Sequence, residues 1–324
     1  SMDQEVLELA FGKYQDVKIV IMNHAYGFPG QVMEIKEICH RYGALLIEDC
    51  SESFGAEVWT GGSSSEDRWC RTGSFGDYAV LDFGPGRIIT GGTGGMLLTD
   101  DRYSMEKALY WASGARASAP WNQHEELGYS YRMSDLTAAA VRGQLMHLPE
   151  ILERKRVIYE RYVDRLEGDL AFMAPIEEGT RPNYWMSCMT VESGIGFLET
   201  RNERDYTYAG QHGTVAPMEI IEALDKFYRD ADSCSSLWNS RALYKPLSLQ
   251  PIFQNNEAVT LDGGKRSYRY FYEDVYRVRC HRAKEYFESG ICLPSDTGMT
   301  EGEQEKVTEV ILGCYNKCEG VRSK

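Results

Sequence analysis

The chain has 324 residues, 43% of them hydrophobic, and a formal net charge of −14 at pH 7. That length predicts about two domains and supplies a sizeable core. The acidic balance excludes the basic footprint of a nucleic-acid binder, and no run approaches the ~18 apolar residues of a membrane span. The N-terminus shows no charged stretch followed by an apolar one, so a cytoplasmic protein is expected. The nine cysteines include no CxxC pair. Reduced, buried thiols are therefore expected, not a disulfide framework or a zinc site.

In chain order, Val17–Met22 predicts a strand, and His24–Gly30 a turn rich in glycine and proline. His24 is either a site residue or a turn histidine satisfied by backbone. Val32–Tyr42 places Ile35, Ile38 and Cys39 on one helical face, and Gly43 sits at the position that ends a helix. Leu45–Ile47 is the next strand, which makes a βαβ unit of a parallel sheet. Residues 59–71, with Gly61-Gly62-Ser63-Ser64-Ser65, are expected to form a surface loop. Tyr103–Ala112 is a helix. Gly114–Gly128 is irregular and polar.

Ser134-Asp135 caps a helical stretch with Ala138, Val141, Leu145 and Leu148 as its apolar stripe. Pro149 interrupts it, and Ile151–Leu166 continues with Ile151, Ile158, Tyr162 and Leu166 inward. The Arg154-Lys155-Arg156 run is expected to be a solvated face. A boundary at Gly168 divides residues 1–167 from residues 168–324. Beyond it, Trp185–Val191 is a strand, residues 194–217 a loop or long hairpin, and Met218–Tyr228 a helix. Residues 262–279 are an insert dense in tyrosine and arginine, either a stacking surface or a packed contact. Arg282–Ser289 is a helix, Ile291–Pro294 a strand and Glu301–Tyr315 the closing helix.

Two segments carry the chemistry. Leu45–Gly55 is an apolar run that ends in Glu48, Asp49 and Glu52, and ligands of open α/β sheets sit at such strand ends. Phe75–Gly95 runs from a second strand through a glycine-rich turn containing one cation, Arg87. No GKS or GKT ending follows, so this turn is no nucleotide phosphate loop of the familiar kind.

These segments resemble the DegT/DnrJ/EryC1/StrS aminotransferases, which use pyridoxal phosphate (PLP). Ile47–Gly55 matches the family's "IEDxAxxxG", and Gly73–Gly95 keeps the spacing of its "GxxGDxxxxSFxxxKxxxxGxGG". Gly128–Asp135 resembles "GxNYRMSD", Ala242–Pro251 resembles "RPLWKPLHLQP", and Ile291–Ser295 resembles "xCLPSG". The bacillosamine-type branch looks most similar. The resemblance runs from about Val17 to Tyr315. It implies an α/β fold: a PLP type I (aspartate aminotransferase-like) large domain lacking its N-terminal segment, at 1–167, and a smaller C-terminal α/β domain at 168–324.

The resemblance also assigns roles. Asp49 is the acid against the cofactor's pyridine nitrogen, which keeps the ring an electron sink. Glu52 meets the ring's hydroxyl side. For both, a strand-end carboxylate capping the next helix is the structural alternative. The Schiff-base lysine position falls on Arg87, the phosphate-binding serine on Asp82, and the asparagine offered to a neighbouring subunit's cofactor on Ser130. A guanidinium keeps its proton and cannot serve as the amine. A carboxylate at Asp82 repels a phosphate, whereas Asp82 and Arg87 can pair across the turn.

The implied function is a nucleotide-sugar aminotransferase relative of amino-sugar or surface-polysaccharide biosynthesis. Arg87 leaves it unable to transaminate alone, and PLP binding is in question. It would bind a nucleotide sugar and form a homodimer, or a heterodimer with a full-length paralogue. One alternative is an active enzyme completed by an N-terminal segment or a partner subunit. Another is a PLP-independent lyase or isomerase using Asp49, Glu52 and Arg87, or a sugar-nucleotide-binding protein. No metal is implied.

Overall fold

The computed structural model describes residues 2–61, 68–166, 168, 171–191, 198–201, 206–209, 215, 217–230, 240–247, 250–253, 258–259, 265–266 and 282–322. In chain order the first elements are α1 (Gln4–Lys13), β1 (Ile19–Asn23), α2 (Val32–Tyr42), β2 (Leu45–Asp49), β3 (Glu57–Trp59), β4 (Trp69–Arg71), β5 (Tyr78–Asp82) and β6 (Gly95–Leu98). They are followed by α3 (Arg102–Ala112), α4 (Asp135–Leu145), α5 (Leu148–Leu166), β7 (Ala171–Met173), β8 (Thr180–Arg181) and β9 (Ser187–Val191). The chain closes with β10 (Leu198–Arg201), β11 (Tyr206–Ala209), α6 (Pro217–Asp230), β12 (Arg241–Ala242), β13 (Ala258–Val259), β14 (Lys265–Arg266), α7 (Arg282–Ser289), β15 (Gly290–Leu293) and α8 (Glu301–Arg322). Two compact units result: residues 1–153 with 176–185, and residues 154–175 with 186–324.

The first unit is built on the sheet β1-β2-β5-β6. β1, β2 and β5 are parallel, and β6 returns antiparallel to β5. The β1–α2–β2 crossover is the expected βαβ unit. α2 stops at Gly43, whose φ of 68° lies in the left-handed region that glycine enters without steric cost. Val32, Ile35, Ile38 and Cys39 of α2 join Val20, Met22 and Leu46 in one core.

α1 precedes everything the hydrophobic pattern suggested. Asp3 caps it by accepting from the Glu5 and Val6 amides at 2.9 and 3.1 Å, and Leu7 and Phe11 bury into the same core. Residues 59–71 also depart from the expected loop. Their two ends are β3 and β4, an antiparallel pair with Trp59 opposite Trp69, and β8 adds a third strand beside β3. The serine run of the expected loop lies outside the described residues.

α4 begins as expected, with Ser134 Oγ accepting from the Thr137 amide at 3.2 Å. Of its expected stripe, Val141 and Leu148 are buried, whereas Ala138 and Leu145 are exposed. Pro149 follows the expected interruption, which falls at residues 146–147 between α4 and α5. It occupies the first turn of α5, where a missing N–H costs nothing.

The second unit holds the sheet β12-β15-β9-β7, antiparallel throughout. Ile158, Tyr162 and Leu166 of α5 are buried as expected. The Arg154-Lys155-Arg156 run is not a solvated face. Lys155 Nζ donates to the Ser295 carbonyl at 2.6 Å, and Arg154 donates to the carbonyls of Thr297 and Met299. Only Arg156 behaves as a surface cation, paired with Glu160 one turn on. The expected strand at Trp185 begins two residues later, at Ser187. Apart from β10, β11 and β14, nearly all of the expected hairpin at 194–217 and of the tyrosine- and arginine-rich insert at 262–279 lies outside the described residues. Among the described residues no helix is long and apolar enough to cross a membrane.

Candidate functional site

The C-terminal ends of β1, β2 and β5 place Asn23, Asp49 and Asp82 at one edge of the first unit's sheet. The Asp49 carboxylate accepts from Asn23 Nδ2 at 2.9 Å, from the Ser51 amide at 3.0 Å and from Ser51 Oγ at 2.5 Å. Burial pushes its carboxyl up, but the Ser51 hydroxyl and amide, the Asn23 amide and the Arg87 charge outweigh that, and the net effect is downward. Asp49 is thus held as a carboxylate. No helix follows for it to cap; residues 51–55 are turns.

Glu52 lies in those turns and is buried. Its Oε2 accepts from the Tyr26 amide at 2.6 Å. Tyr26 has φ 58°, a left-handed conformation unusual for a tyrosine, so the carboxylate helps hold a strained turn.

The β5–β6 connection closes on itself. The Phe83 amide bonds to the Gly94 carbonyl, and the Gly91 amide bonds back to Phe83, each at 2.9 Å. Gly91 must be glycine, because a Cβ there would sit 2.8 Å from Thr137 Cγ2 and 2.9 Å from Val141 Cγ2 of α4. This loop delivers Arg87. Its Nε donates to Asp82 Oδ2 at 2.7 Å, and its guanidinium lies over the Trp185 ring, 5.0 Å from the centroid. Nη1 stops 3.6 Å from Glu52 Oε1, is buried and has no hydrogen-bond partner among the described residues.

Asn183 was not apparent from sequence. Its Nδ2 donates to the Glu52 and Phe54 carbonyls at 2.8 and 3.0 Å, and its Oδ1 accepts from the Trp185 amide at 2.8 Å. Trp185 Nε1 donates to the Gly86 carbonyl at 2.7 Å. Residues 183–185 therefore bind both the Glu52 turn and the Arg87 loop. The only sequence signal was an asparagine and a tryptophan beside Pro182, which is too little to place them.

A second cluster lies behind the first. His24, Glu48 and Cys50 are buried, with their donor atoms within 4.8 Å of one another. Glu48 accepts from the Gly73, Phe75 and Gly76 amides at 2.6 to 2.8 Å, and His24 Nε2 lies 3.1 Å from it. His24 Nδ1 accepts from the Gly30 amide at 3.1 Å, which fixes the neutral tautomer with its proton on Nε2. His24 is thus satisfied by backbone on one side and by Glu48 on the other. Burial pushes Glu48 up, but the bonds from His24, Gly73 and Gly76 carry it below the ordinary value. Burial and the charges of Glu48 and Asp49 push the Cys50 thiol up to about 12. Every donor atom of His24 and Glu48 is already engaged, so this cluster is a clamp on the 73–76 turn.

The structure brings Asp49, Glu52, Asp82 and Arg87 together. Ser130 makes no hydrogen bond to them among the described residues: it is exposed, bridges to Ser113, and borders a hollow of about 700 Å³ with Gly128, Tyr129 and Arg132. The described thiols follow expectation: Cys39, Cys50, Cys188 and Cys292 are buried, Cys70 and Cys314 half-buried, and all six free. Cys234, Cys280 and the side chain of Cys318 lie outside the described residues.

PLP chemistry requires an acid for the ring nitrogen and an amine for the carbonyl carbon. Asp49 fits the first requirement. For the second, no lysine occurs between Lys36 and Lys107, and Arg87 is engaged by Asp82 and Trp185. The residues of this cluster do not fit covalent attachment of the cofactor.

Comparison with known proteins places this geometry. EpsN of Bacillus subtilis, named for a pyridoxal phosphate-dependent aminotransferase, is 32% identical over 305 residues, covering 93% of this chain and 64% of EpsN. GDP-perosamine synthase of Vibrio cholerae is 29% identical over 175 residues, covering 54% of this chain and 45% of that protein. The chain thus spans less than two thirds of these curated relatives. Among solved structures, a DegT DnrJ EryC1 StrS aminotransferase from Brucella abortus superposes with TM-score 0.70 at 19% identity, over 96% of this chain and 69% of that one. Helicobacter pylori PseC, an aminotransferase involved in the biosynthesis of pseudoaminic acid, gives 0.71 at 13% identity, over 98% and 72%. The α/β fold is therefore that of the type I PLP-dependent sugar aminotransferases. The model of the DegT/DnrJ/EryC1/StrS aminotransferase family matches residues 2–203, well over half of the sequence, and the chain belongs to that family.

Proposed function

We propose that this chain is a nucleotide-sugar aminotransferase relative of amino-sugar or surface-polysaccharide biosynthesis that does not transaminate with its own residues. The observation that carries this reading is Arg87. Its guanidinium stands where the family pattern implies the Schiff-base lysine, bonded to Asp82 and stacked on Trp185. Asp82 in turn stands where the pattern implies a phosphate-binding serine, and a carboxylate there disfavours a phosphate. Asp49, Glu52 and Ser130 are the other positions the family pattern assigns to the cofactor. What remains for the chain is to bind a nucleotide sugar and to associate as a homodimer or with a full-length paralogue.

The test is incubation of the purified chain with PLP, borohydride reduction and mass spectrometry. No specific lysine adduct, and no cofactor retained through desalting, is the expected result. A single stoichiometric adduct, or turnover of a nucleotide ketosugar with glutamate, overturns the proposal.

A second reading has one observation in its favour. Ile19, Ile21 and Leu45 are 52%, 63% and 43% exposed, and they share the sheet face of Asn23 and Asp49 by strand alternation and register. Parallel sheets are ordinarily covered on both faces. An additional segment or partner subunit lying on this face would border Asp49 and could supply groups that the chain lacks. Co-purification with such a partner, with amine transfer only in the complex, would establish it.

A further inference from the structure

The first unit contains a hollow of about 530 Å³ between α2 and β4 that the cofactor-type cluster does not use. It lies on the α2 side of the sheet, where Val20, Met22 and Leu46 point, whereas Asp49 faces the other way. Its apolar wall is Met33, Cys70 and Phe75. Phe75 belongs to the core, and the other two pack against it. Lys36 of α2 and Arg68, the residue before β4, stand on its rim with Glu37.

Arg41, one turn beyond on the same helix, pairs with Glu8, and Arg181 pairs with Glu57. Lys36 and Arg68 form no ion pair among the described residues, although acids outnumber bases 49 to 35 in the sequence. Arg68 is also held in place. Thr60 Oγ1 donates to its carbonyl at 3.0 Å and accepts from its amide at 3.3 Å. An anion approaching a protein this acidic is repelled at long range and needs local cations to bind.

From this juxtaposition we propose that the hollow binds a phosphorylated ligand with a ring-shaped body, of the nucleoside diphosphate class. Lys36 and Arg68 take the phosphates, with the guanidinium suited to two oxygens at once. Met33, Cys70 and Phe75 receive the flat face of the ring, and Glu37 accepts from a hydroxyl or N–H of the ligand. The volume is within the range of small-molecule sites. This proposal does not rest on the aminotransferase reading.

The test is calorimetric titration of the whole chain with UDP, uridine and pyrophosphate as separate probes. UDP is expected to bind saturably, more tightly than either fragment, and more weakly as salt rises. Lys36→Ala and Arg68→Ala each reduce the affinity about tenfold, the usual worth of one charge-assisted bond. Arg41→Ala, on the same helix but outside the hollow, leaves it unchanged. All three positions are exposed, and melting curves verify that the variants fold. Absence of UDP binding at millimolar concentration overturns the proposal. So does UDP binding that survives both rim substitutions, or that Arg41→Ala weakens as much as they do. Pyrophosphate binding as tightly as UDP removes the ring from the site and overturns it as stated.

Discussion

Arg87 Nε donates a hydrogen bond to Asp82 Oδ2 at 2.7 Å, while its Nη1 stops 3.6 Å short of Glu52 Oε1. One guanidinium thus serves two carboxylates from different turns, and its charge also reaches Asp49. Removing it by Arg87→Met leaves three acids around one gap. Asp49 is held below its ordinary value in the folded chain, so it contributes stability above its unfolded value and loses it as pH falls through the folded one. The substitution lifts the folded value. Its cost is therefore expected to be largest at neutral pH, about 1–2 kcal/mol after discounting for partial exposure, and to shrink below pH ~4 as the carboxyl protonates in both states. Thermal melts of both proteins from pH 3.5 to 7.5 measure it. A cost independent of pH would show that the lost packing on Trp185, not the charge, dominates.

Glu48 offers the sharper acid dependence. It is fully buried and accepts from three amides and from His24. Glu48→Gln replaces one acceptor oxygen with a donor facing N–H groups, so at least two buried donors lose their partner. The expected cost is about 3 kcal/mol, the order for breaking a buried charged network. In the parent, the contribution of Glu48 is complete above its ordinary value of 4.5 and is lost as pH falls through its lowered folded value. Hydrogen exchange at Gly73, Phe75 and Gly76 should accelerate in the variant. Unchanged protection there would show that these amides do not depend on the carboxylate.

Lys155 has the opposite sign. Burial lowers its amine to about 8, against an opposing pull from Asp296. A lysine depressed in the folded state costs stability below the folded value, where both states are charged. That cost is relieved as pH rises toward the ordinary 10.5. The parent should therefore gain stability relative to Lys155→Met between pH 8 and 10, by up to a few kcal/mol, because each tenfold change in proton affinity is worth about 1.4 kcal/mol. Denaturant melts at pH ~7, ~8.5 and ~9.5, which bracket the folded value, give the trend. A difference that stays flat across this range would place the amine in solvent.

What the sequence disclosed divides along range. α2, its glycine stop and β2 were legible because a 3.6-residue stripe and a C′ glycine are local signals. The acids at the end of β2 and the turn carrying Arg87 were legible as motifs with fixed spacing. α1 was missed because its apolar pair Leu7 and Phe11 is short and its cap is a single aspartate. The strands flanking the glycine–serine stretch were hidden because β3 and β4 are three residues each, too short for alternation to register. Lys155 looked like solvent because charge runs on helices ordinarily are. Its partner is the Ser295 carbonyl, 140 residues away, which no local pattern encodes. The same holds for Asn183, whose side chain bonds to carbonyls 129 and 131 residues earlier.

The most direct challenge to the proposed function is to install the amine. Arg87→Lys removes the Nε bond to Asp82 and most of the overlap with Trp185, since an ammonium is a compact point charge. Among the described residues Asp82 then keeps only the Gly84 amide, which Oδ1 accepts at 2.8 Å, and under the proposed function it still presents a carboxylate at the position assigned to the cofactor's phosphate. Two like charges at one position disfavour each other strongly once water is excluded, by roughly several kcal/mol. Arg87→Lys alone is therefore expected to bind PLP weakly and to show no amine transfer. Adding Asp82→Ser removes the repulsion and supplies a donor, so the double variant should retain the cofactor about tenfold better or more, the equivalent of one good hydrogen bond to a charged group. Adding Ser130→Asn should strengthen retention further only if subunits associate, because the family resemblance assigns this position to a neighbouring subunit's cofactor. Cofactor absorbance after desalting, followed by single-turnover assay with a nucleotide ketosugar and glutamate, reads each step. Turnover by Arg87→Lys alone would show that the site is otherwise complete. The reading of a chain that cannot transaminate with its own residues would then fail.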